Sequence, residues 1–185
     1  METDEQIARR VQQGEHNAFG ELIERYQEKL LRYARKFLLE TDDAQDIVQD
    51  VFIKAYENIQ SFDTSRRFSP WVYRIAHNEY VNALKKRAAR KIIPDFDFDT
   101  ILPTLVAPEL ADSAALERDL RESLDTHLAQ LDLKYREPLV LYYVEGMDYR
   151  EISDILQIPI STVGVRLARA RTALRKMKGI EHIYE

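Results

Sequence analysis

Apolar residues recur every three or four positions along most of the chain, the spacing of amphipathic α-helices. Four helices are predicted in the first half of the chain, over residues 4–13, 18–39, 41–59 and 69–91. The last of them has Ser69 as its N-cap and Pro70 in its first turn, a pair that favours helix initiation. The alternating pattern of a β-strand is absent, so this half is predicted to be all-α.

Prolines then interrupt the helical period. A linker over residues 94–112 is marked by Pro94, Pro103 and Pro108. Helical periodicity resumes at residue 113, and further helices are predicted over residues 135–145, 149–156 and 161–177. Pro138 fits only if it lies in the first turn of its helix. The sequence therefore predicts two small all-α domains, residues 1–93 and 113–178, joined by an acidic, proline-containing linker.

The last two predicted helices form a helix-turn-helix pattern. Asp148 caps the first of them, and Glu151 is its capping-box partner. The second helix buries Val163, Leu167, Ala170 and Leu174. Its opposite face carries Ser161, Val165, Ala168, Arg169 and Thr172, flanked by Arg166, Arg171, Arg175 and Lys176. Flanking cations that hold phosphates suit a DNA-recognition helix, and the alternative is a helical hairpin with a solvated basic face.

Two other helix faces could carry function. One stripe of the fourth helix contains Trp71, Arg74, Asn78, Asn82 and Lys85. An aromatic ring beside cations and amides suits unstacked nucleic-acid bases, although Trp71 would serve equally well as a half-buried anchor of the helix. The predicted exposed face of the third helix is acidic and contains one isoleucine: Asp42, Asp46, Gln49, Asp50, Ile53 and Glu57. That face is either a protein interface or a solvated surface.

Charge is distributed in blocks that the net charge of −5 conceals. Residues 84–91 hold five basic side chains and residues 161–178 hold six, with no acid in either segment. Residues 94–112 hold five acids and no base. Because local charge decides what a surface attracts, the two basic segments favour nucleic-acid contact.

Composition excludes several classes of protein. The chain has no cysteine, four scattered histidines and five glycines that form no phosphate loop. No apolar run is long enough to span a membrane, the acidic N-terminus fits no secretory signal, and no carboxylates are placed as a catalytic pair. We therefore expect a non-enzymatic protein without cofactors, metal or membrane insertion.

Three segments together resemble the extracytoplasmic-function class of bacterial RNA polymerase sigma factors. They are residues 42–52, 68–78 and 135–171. The resemblance implies a cytoplasmic bacterial protein that binds core RNA polymerase, recognises the −10 and −35 promoter elements and helps to melt DNA. The partners it implies are promoter DNA, the β′ coiled coil and the β flap of core polymerase, and an anti-sigma factor.

The resemblance also assigns roles to individual residues. Core polymerase binding falls on Asp46, Gln49, Asp50 and Ile53. Recognition of the −10 element falls on a loop and the stripe that follows it: Asp63, Thr64, Ser65, Arg66, Arg67, Trp71, Arg74, Asn78, Asn82 and Lys85. Recognition of the −35 element falls on Ser161, Thr162, Val165, Arg166, Ala168, Arg169, Arg171 and Thr172. The acidic linker resembles the connector that threads through the polymerase.

The recognition helix departs from the family at three positions. Relatives commonly place Lys or Arg and then Ser where this chain has Gly164 and Val165, and a larger residue at Ala168. Glycine costs roughly 1 kcal/mol in a helix interior, so Gly164 indicates a close approach or a tolerated weakness. Val165 and Ala168 can pack on thymine methyl groups, which predicts T·A steps in the −35 element, anchored by Arg169.

One alternative of a different class remains open from the sequence. It is a helix-turn-helix DNA-binding regulator whose N-terminal helices form an interaction module. The acidic face of the third helix distinguishes the two, because a free-standing regulator needs no surface for binding polymerase. No purpose is assigned to the short tail over residues 179–185.

Overall fold

The computed structural model describes residues 2–38, 42–90 and 127–177. The helices in these ranges are α1 (Asp4–Gln12), α2 (Phe19–Leu38), α3 (Asp42–Asn58), α4 (Phe68–Arg90), α5 (Leu133–Tyr143), α6 (Tyr149–Leu156) and α7 (Ile160–Lys176). Short 3₁₀ turns precede α2 and follow α3, at His16–Ala18 and Ile59–Ser61. No strand occurs within the described ranges, and the predicted all-α class is confirmed. The predicted helix start at residue 41 and the predicted linker over residues 94–112 lie outside them.

The N-terminal domain packs α1 to α4 around a core rich in aromatic residues. Tyr33 of α2 and Tyr73 and Tyr80 of α4 are fully buried, with Tyr33 in ring contact with both of the others. The hydroxyl of Tyr80 donates to the carbonyl of Leu30 at 2.9 Å. This hydrogen bond satisfies the polar end of the Tyr80 ring while its apolar body stays in the core.

Two predicted helix starts were wrong. α4 begins at Phe68 and not after Ser69, because Glu5 of α1 accepts a hydrogen bond from the backbone N–H of Phe68 (2.9 Å) and so replaces a local cap. α5 begins at Leu133, so Pro138 lies in its second turn. The carbonyl of Asp132 accepts from the two N–H groups that start α5 early, at 2.9 Å each.

The C-terminal domain is formed by α5, α6 and α7. The predicted capping box is confirmed: Asp148 accepts from the N–H of Glu151 (2.9 Å), and Glu151 accepts from the N–H of Asp148 (2.8 Å). The predicted apolar stripe of α7 is buried against α5 and α6. A left-handed residue, Gln157, ends α6 with φ of 55° and turns the chain towards α7. The two domains contact each other directly along α2 and α4.

Candidate nucleic-acid and polymerase interfaces

The outer face of α7 is the clearest candidate DNA-binding surface. Exposed side chains on this face are Ser161, Val165, Ala168, Arg169, Arg171 and Thr172, while Thr162 and Arg166 are half-buried. Val165 is 50 % exposed although it is apolar. The buried stripe of α7 fixes which way this face points, so an extended row of small, polar and basic side chains faces solvent.

Two side chains of this face are partly engaged by the protein itself. The hydroxyl of Thr172 donates to the carbonyl of Ala168 at 3.0 Å. The guanidinium of Arg169 lies 3.4 Å from the hydroxyl of Tyr135 in α5, a long contact that leaves it exposed. Arg169 can therefore bind a partner without losing a strong internal bond.

Gly164 does not mark a close approach of helices. A Cβ atom built at Gly164 would lie 3.7 Å from Cε2 of Tyr149, which is an ordinary van der Waals distance. Contacts within the protein therefore do not require glycine at this position.

The loop over residues 63–67 is held in a defined shape. The carboxylate of Asp63 accepts from the backbone N–H and the hydroxyl of Ser65, at 3.0 and 2.7 Å. The hydroxyl bond, followed by the backbone bond, lowers the pKa of Asp63 below its usual value. Phe62 and Phe68 flank the loop with their rings in contact at 5.4 Å, so the two ends of the loop are pinned together.

Helix α1 also holds this loop, which the sequence analysis missed. The guanidinium of Arg9 donates from Nη2 and Nε to the hydroxyl of Thr64, at 3.0 and 3.3 Å. Glu5 holds the residue after the loop, through the N–H of Phe68. Between α1 and the loop lies an open, polar cleft of about 440 Å³. A contact across 55 positions leaves no trace in helical periodicity, so only the polar outer face of α1 could have suggested it.

The stripe along α4 is divided in the structure. Trp71 is half-buried, with its ring centroid 5.1 Å from that of Phe62 and 5.4 Å from that of Phe68. The exposed members of the stripe are Arg74, Asn78, Asn82 and Lys85. Trp71 therefore anchors the helix start against the ends of the loop, and its polar neighbours face solvent.

The acidic face of α3 is exposed as the sequence predicted. Asp46, Gln49 and Asp50 lie at the surface. Ile53 is 49 % exposed beside them, and Tyr56, one turn further, is 39 % exposed. An apolar centre with a rim of carboxylates can bind a basic protein surface and fix its register. The side chains of Asp42 and Asp43 lie outside what the structure describes.

One buried ionisable group of the C-terminal domain, Arg136, has a structural role. Arg136 is 2 % exposed and donates to the carbonyls of Ala129 and Leu131, at 2.6 and 2.9 Å. Burial lowers the pKa of Arg136 to about 10. Across the described residues, no cluster of histidines and carboxylates could hold a metal ion, and no helix is long and apolar enough to cross a membrane.

Comparisons with known proteins identify both domains. Residues 22–90 match the family model Sigma-70 region 2, and residues 121–174 match the model Sigma-70, region 4. The chain is 34 % identical to the ECF RNA polymerase sigma factor SigW of Bacillus subtilis, over 91 % of this chain and 92 % of that protein.

Two solved structures are also similar to this chain. The structure of CnrH in complex with the cytosolic domain of CnrY has a TM-score of 0.70 and 26 % identity, over 94 % of this chain and 96 % of that one. The sigma factor RpoE of Bartonella quintana, in complex with the anti-sigma factor NepR, has a TM-score of 0.68 and 26 % identity, over 85 % and 94 %. These findings set aside the alternative of a free-standing regulator. The chain belongs to the extracytoplasmic-function class of RNA polymerase sigma factors and directs promoter-specific transcription.

Proposed function

We propose that the two domains, residues 1–93 and 113–178, read the two promoter elements separately. The exposed face of α7 reads the −35 element in the major groove, with Arg169 on a base edge and its basic neighbours on phosphates. The observation that carries this assignment is the buried stripe of α7, which leaves that face outward. The matched segments fall inside the two domains, which supports the division.

The N-terminal domain takes the −10 element in this proposal. Exposed cations and amides of α4 bind the backbone and unstacked bases, and the cleft beside the loop over residues 63–67 accepts an extruded base. Arg66 supplies an exposed positive charge at this cleft. Trp71 contributes by fixing the start of α4, because it is packed against Phe62 and Phe68.

Core polymerase binds the acidic face of α3 in the same proposal. Asp46, Gln49 and Asp50 form hydrogen bonds and ion pairs with a basic coiled coil of the β′ subunit, and Ile53 supplies apolar contact. The C-terminal domain contacts the β flap. The protein carries out no chemistry of its own, needs no cofactor, and acts in the cytoplasm, where polymerase and promoter DNA are found.

An anti-sigma factor is a further proposed partner. One similar solved structure is a sigma factor in complex with an anti-sigma factor, and another is CnrH in complex with the cytosolic domain of CnrY. Both matches extend over most of this chain. A partner that spans both domains would cover both DNA-reading surfaces at once.

The test is in-vitro transcription with bacterial core polymerase and fragmented genomic DNA, with the RNA 5′ ends mapped. We expect starts downstream of one shared bipartite motif. The double variant Asp46→Lys/Asp50→Lys should abolish these starts because it reverses the charge of the polymerase-binding face. Glu24→Lys, at an exposed position of α2, is the matched control and should retain them. Starts that persist in the double variant would contradict the assigned polymerase surface.

A further inference from the structure

Two neighbouring side chains in the first turn of α1, Glu5 and Gln6, line the cleft beside the loop over residues 63–67. Each of them has one oxygen bonded to a backbone N–H. Oε1 of Glu5 accepts from the N–H of Phe68 at 2.9 Å, and Oε1 of Gln6 accepts from the N–H of Thr3 at 2.8 Å. Because these bonds restrain both side chains, their remaining polar groups are held in place before any ligand binds.

One acceptor and one donor are left over by these bonds. Among the residues that the structure describes, the second carboxylate oxygen of Glu5 and the amide nitrogen of Gln6 have no hydrogen-bond partner. Glu5 is half-buried and Gln6 is exposed. The wall of the cleft that α1 forms therefore offers one hydrogen-bond acceptor and one donor, on consecutive residues, to a molecule that enters it.

The other charged residues that line the cleft are basic. Arg9 lines it from α1, and Arg66 and Arg67 line it from the loop. Three guanidinium groups attract the DNA backbone, whereas a carboxylate repels phosphate. Glutamine could make the bond to Phe68 without a charge, so that bond does not explain why Glu5 is acidic. Reading of a base explains it, since a base edge offers N–H donors and a phosphate diester offers none.

We propose that Glu5 and Gln6 determine which base enters the cleft, and that they select cytosine or adenine. The Watson–Crick edge of both bases has an exocyclic amine next to an unprotonated ring nitrogen, which places one donor beside one acceptor. Glu5 accepts from the amine and Gln6 donates to the ring nitrogen. This inference rests on the proposed extrusion of a −10 base into the cleft, and it names the class of base and the two residues that select it.

Thymine and guanine fit the same pair of groups poorly. The one N–H of thymine lies between two carbonyl oxygens, so a carboxylate bonded to it is close to both. Guanine presents two adjacent donors, but Glu5 has one free oxygen because the other holds Phe68. In both cases a polar group is left unpaired or meets one of like polarity. A mismatch at a two-point base contact lowers affinity by about tenfold or more.

The loop on the other side of the cleft contributes shape and charge to this selection. The hydroxyl of Ser65 donates to the carboxylate of Asp63 at 2.7 Å, and the hydroxyl of Thr64 accepts from Arg9 at 3.0 Å. These short polar side chains of the loop are thus already bonded within the protein. The groups that distinguish one base from another therefore come from α1.

The test is competition binding by holoenzyme assembled from bacterial core polymerase and the full chain. The probes are versions of one promoter mapped by in-vitro transcription, in which each position of the −10 non-template strand carries each of the four bases, or an abasic site, in turn. We expect one position at which cytosine or adenine is preferred over thymine and guanine by about tenfold or more. At that position the abasic probe should also bind weakly.

Glu5→Gln is the decisive variant, because glutamine can still accept from the N–H of Phe68 and so preserves the start of α4. The free carboxylate oxygen becomes an amide donor. The preference for cytosine or adenine should therefore vanish or shift to bases with a carbonyl oxygen at that edge. Gln6→Glu keeps the bond to Thr3 but replaces the donor by a second acceptor, so it should favour guanine. An unchanged preference in either variant would overturn the proposed selection.

The matched control is Glu24→Gln, which removes the same charge at an exposed position of α2. It should leave every base preference as it is in the unsubstituted protein. A loss of preference in Glu24→Gln as large as that in Glu5→Gln would assign the effect to net charge and would contradict the proposal. Circular dichroism checks that all three variants retain the helical fold.

Failure of this selection is distinguishable from failure of the proposed function. Arg74→Ala removes an exposed cation of α4 and should weaken binding to all −10 probes about equally. If Arg74→Ala weakens binding but Glu5→Gln leaves the base preference unchanged, only the selection by α1 is wrong. If neither variant alters binding and no −10 position matters, the assignment of the N-terminal domain to the −10 element is wrong.

Discussion

Helix α7 presents its proposed base-reading face through helical geometry alone, whereas the loop over residues 63–67 depends on other parts of the chain. The face of α7 follows from a buried stripe every three or four residues. The loop is bonded to Arg9 of α1 and to Glu151 of α6, and its ends are pinned by an aromatic cluster. The face of α7 therefore depends on local helix geometry, whereas the loop surface is formed by tertiary contacts.

This difference has a consequence for mutation. Side chains on the outer face of α7 can be changed without loss of packing, so their effects should be confined to DNA binding. Side chains around the loop both support the fold and position the surface, so their effects on stability and on promoter recognition should be coupled. The following predictions test that contrast, in decreasing order of expected size.

Trp71→Ala should produce the largest change, because it removes a half-buried ring that contacts Phe62 and Phe68. We expect the free energy of unfolding to fall by about 2 to 3 kcal/mol, somewhat below the usual cost for a fully buried aromatic side chain. Urea denaturation measures it. Promoter opening, measured by the permanganate reactivity of unpaired thymines, should fall as well.

The control is Arg74→Ala, one turn further along α4 at an exposed position. It should leave stability within about 0.5 kcal/mol while weakening promoter binding. If Trp71→Ala left the stability unchanged, the tertiary origin of the loop surface would be wrong.

Arg169→Ala should act only on DNA binding. We expect a loss of about 1 to 3 kcal/mol in promoter binding by the holoenzyme, with relaxed preference at one position of the −35 element. Lys176→Ala, on the same helix, should instead weaken all promoters about equally and reduce the salt dependence. Competition binding with a library of −35 variants distinguishes the two. A drop in stability for Arg169→Ala would contradict the local character of this face.

Arg9→Ala should have a smaller effect on the −10 surface, of about 1 kcal/mol, because it removes two hydrogen bonds to one hydroxyl at a solvent-exposed site. A double-mutant cycle with Thr64→Ala in promoter-binding assays measures the coupling. Arg9→Lys keeps the charge but not the two-atom contact, so its promoter affinity should lie between those of the unsubstituted protein and Arg9→Ala. Additive effects of Arg9→Ala and Thr64→Ala would show that the contact does not position the loop.

The same contrast explains how far the sequence could predict this structure. Local sequence pattern was sufficient for the helices, for the buried stripe of α7 and for the capping box at Asp148, because each depends on residues that are close to one another in the chain. The start of α4 was predicted wrongly because its cap, Glu5, is 63 positions away. Arg9 and the buried Glu137 and Glu145 were missed for the same reason, since an isolated charge is normally assigned to the surface.

Gly164→Ala should give the smallest change and the opposite sign. The new methyl group would meet Tyr149 at an ordinary distance of 3.7 Å, and alanine favours a helix interior over glycine by roughly 1 kcal/mol. We expect a gain in unfolding free energy of up to about 1 kcal/mol, measured as a higher melting temperature, with unchanged −35 preference. Gly14→Ala is the matched comparison. Gly14 has a φ of 100°, which alanine adopts only with strain, so this substitution should destabilise the protein. A Gly164→Ala variant that lost promoter preference would show that DNA approaches the helix backbone at this position, and the recognition face would then include Gly164 itself.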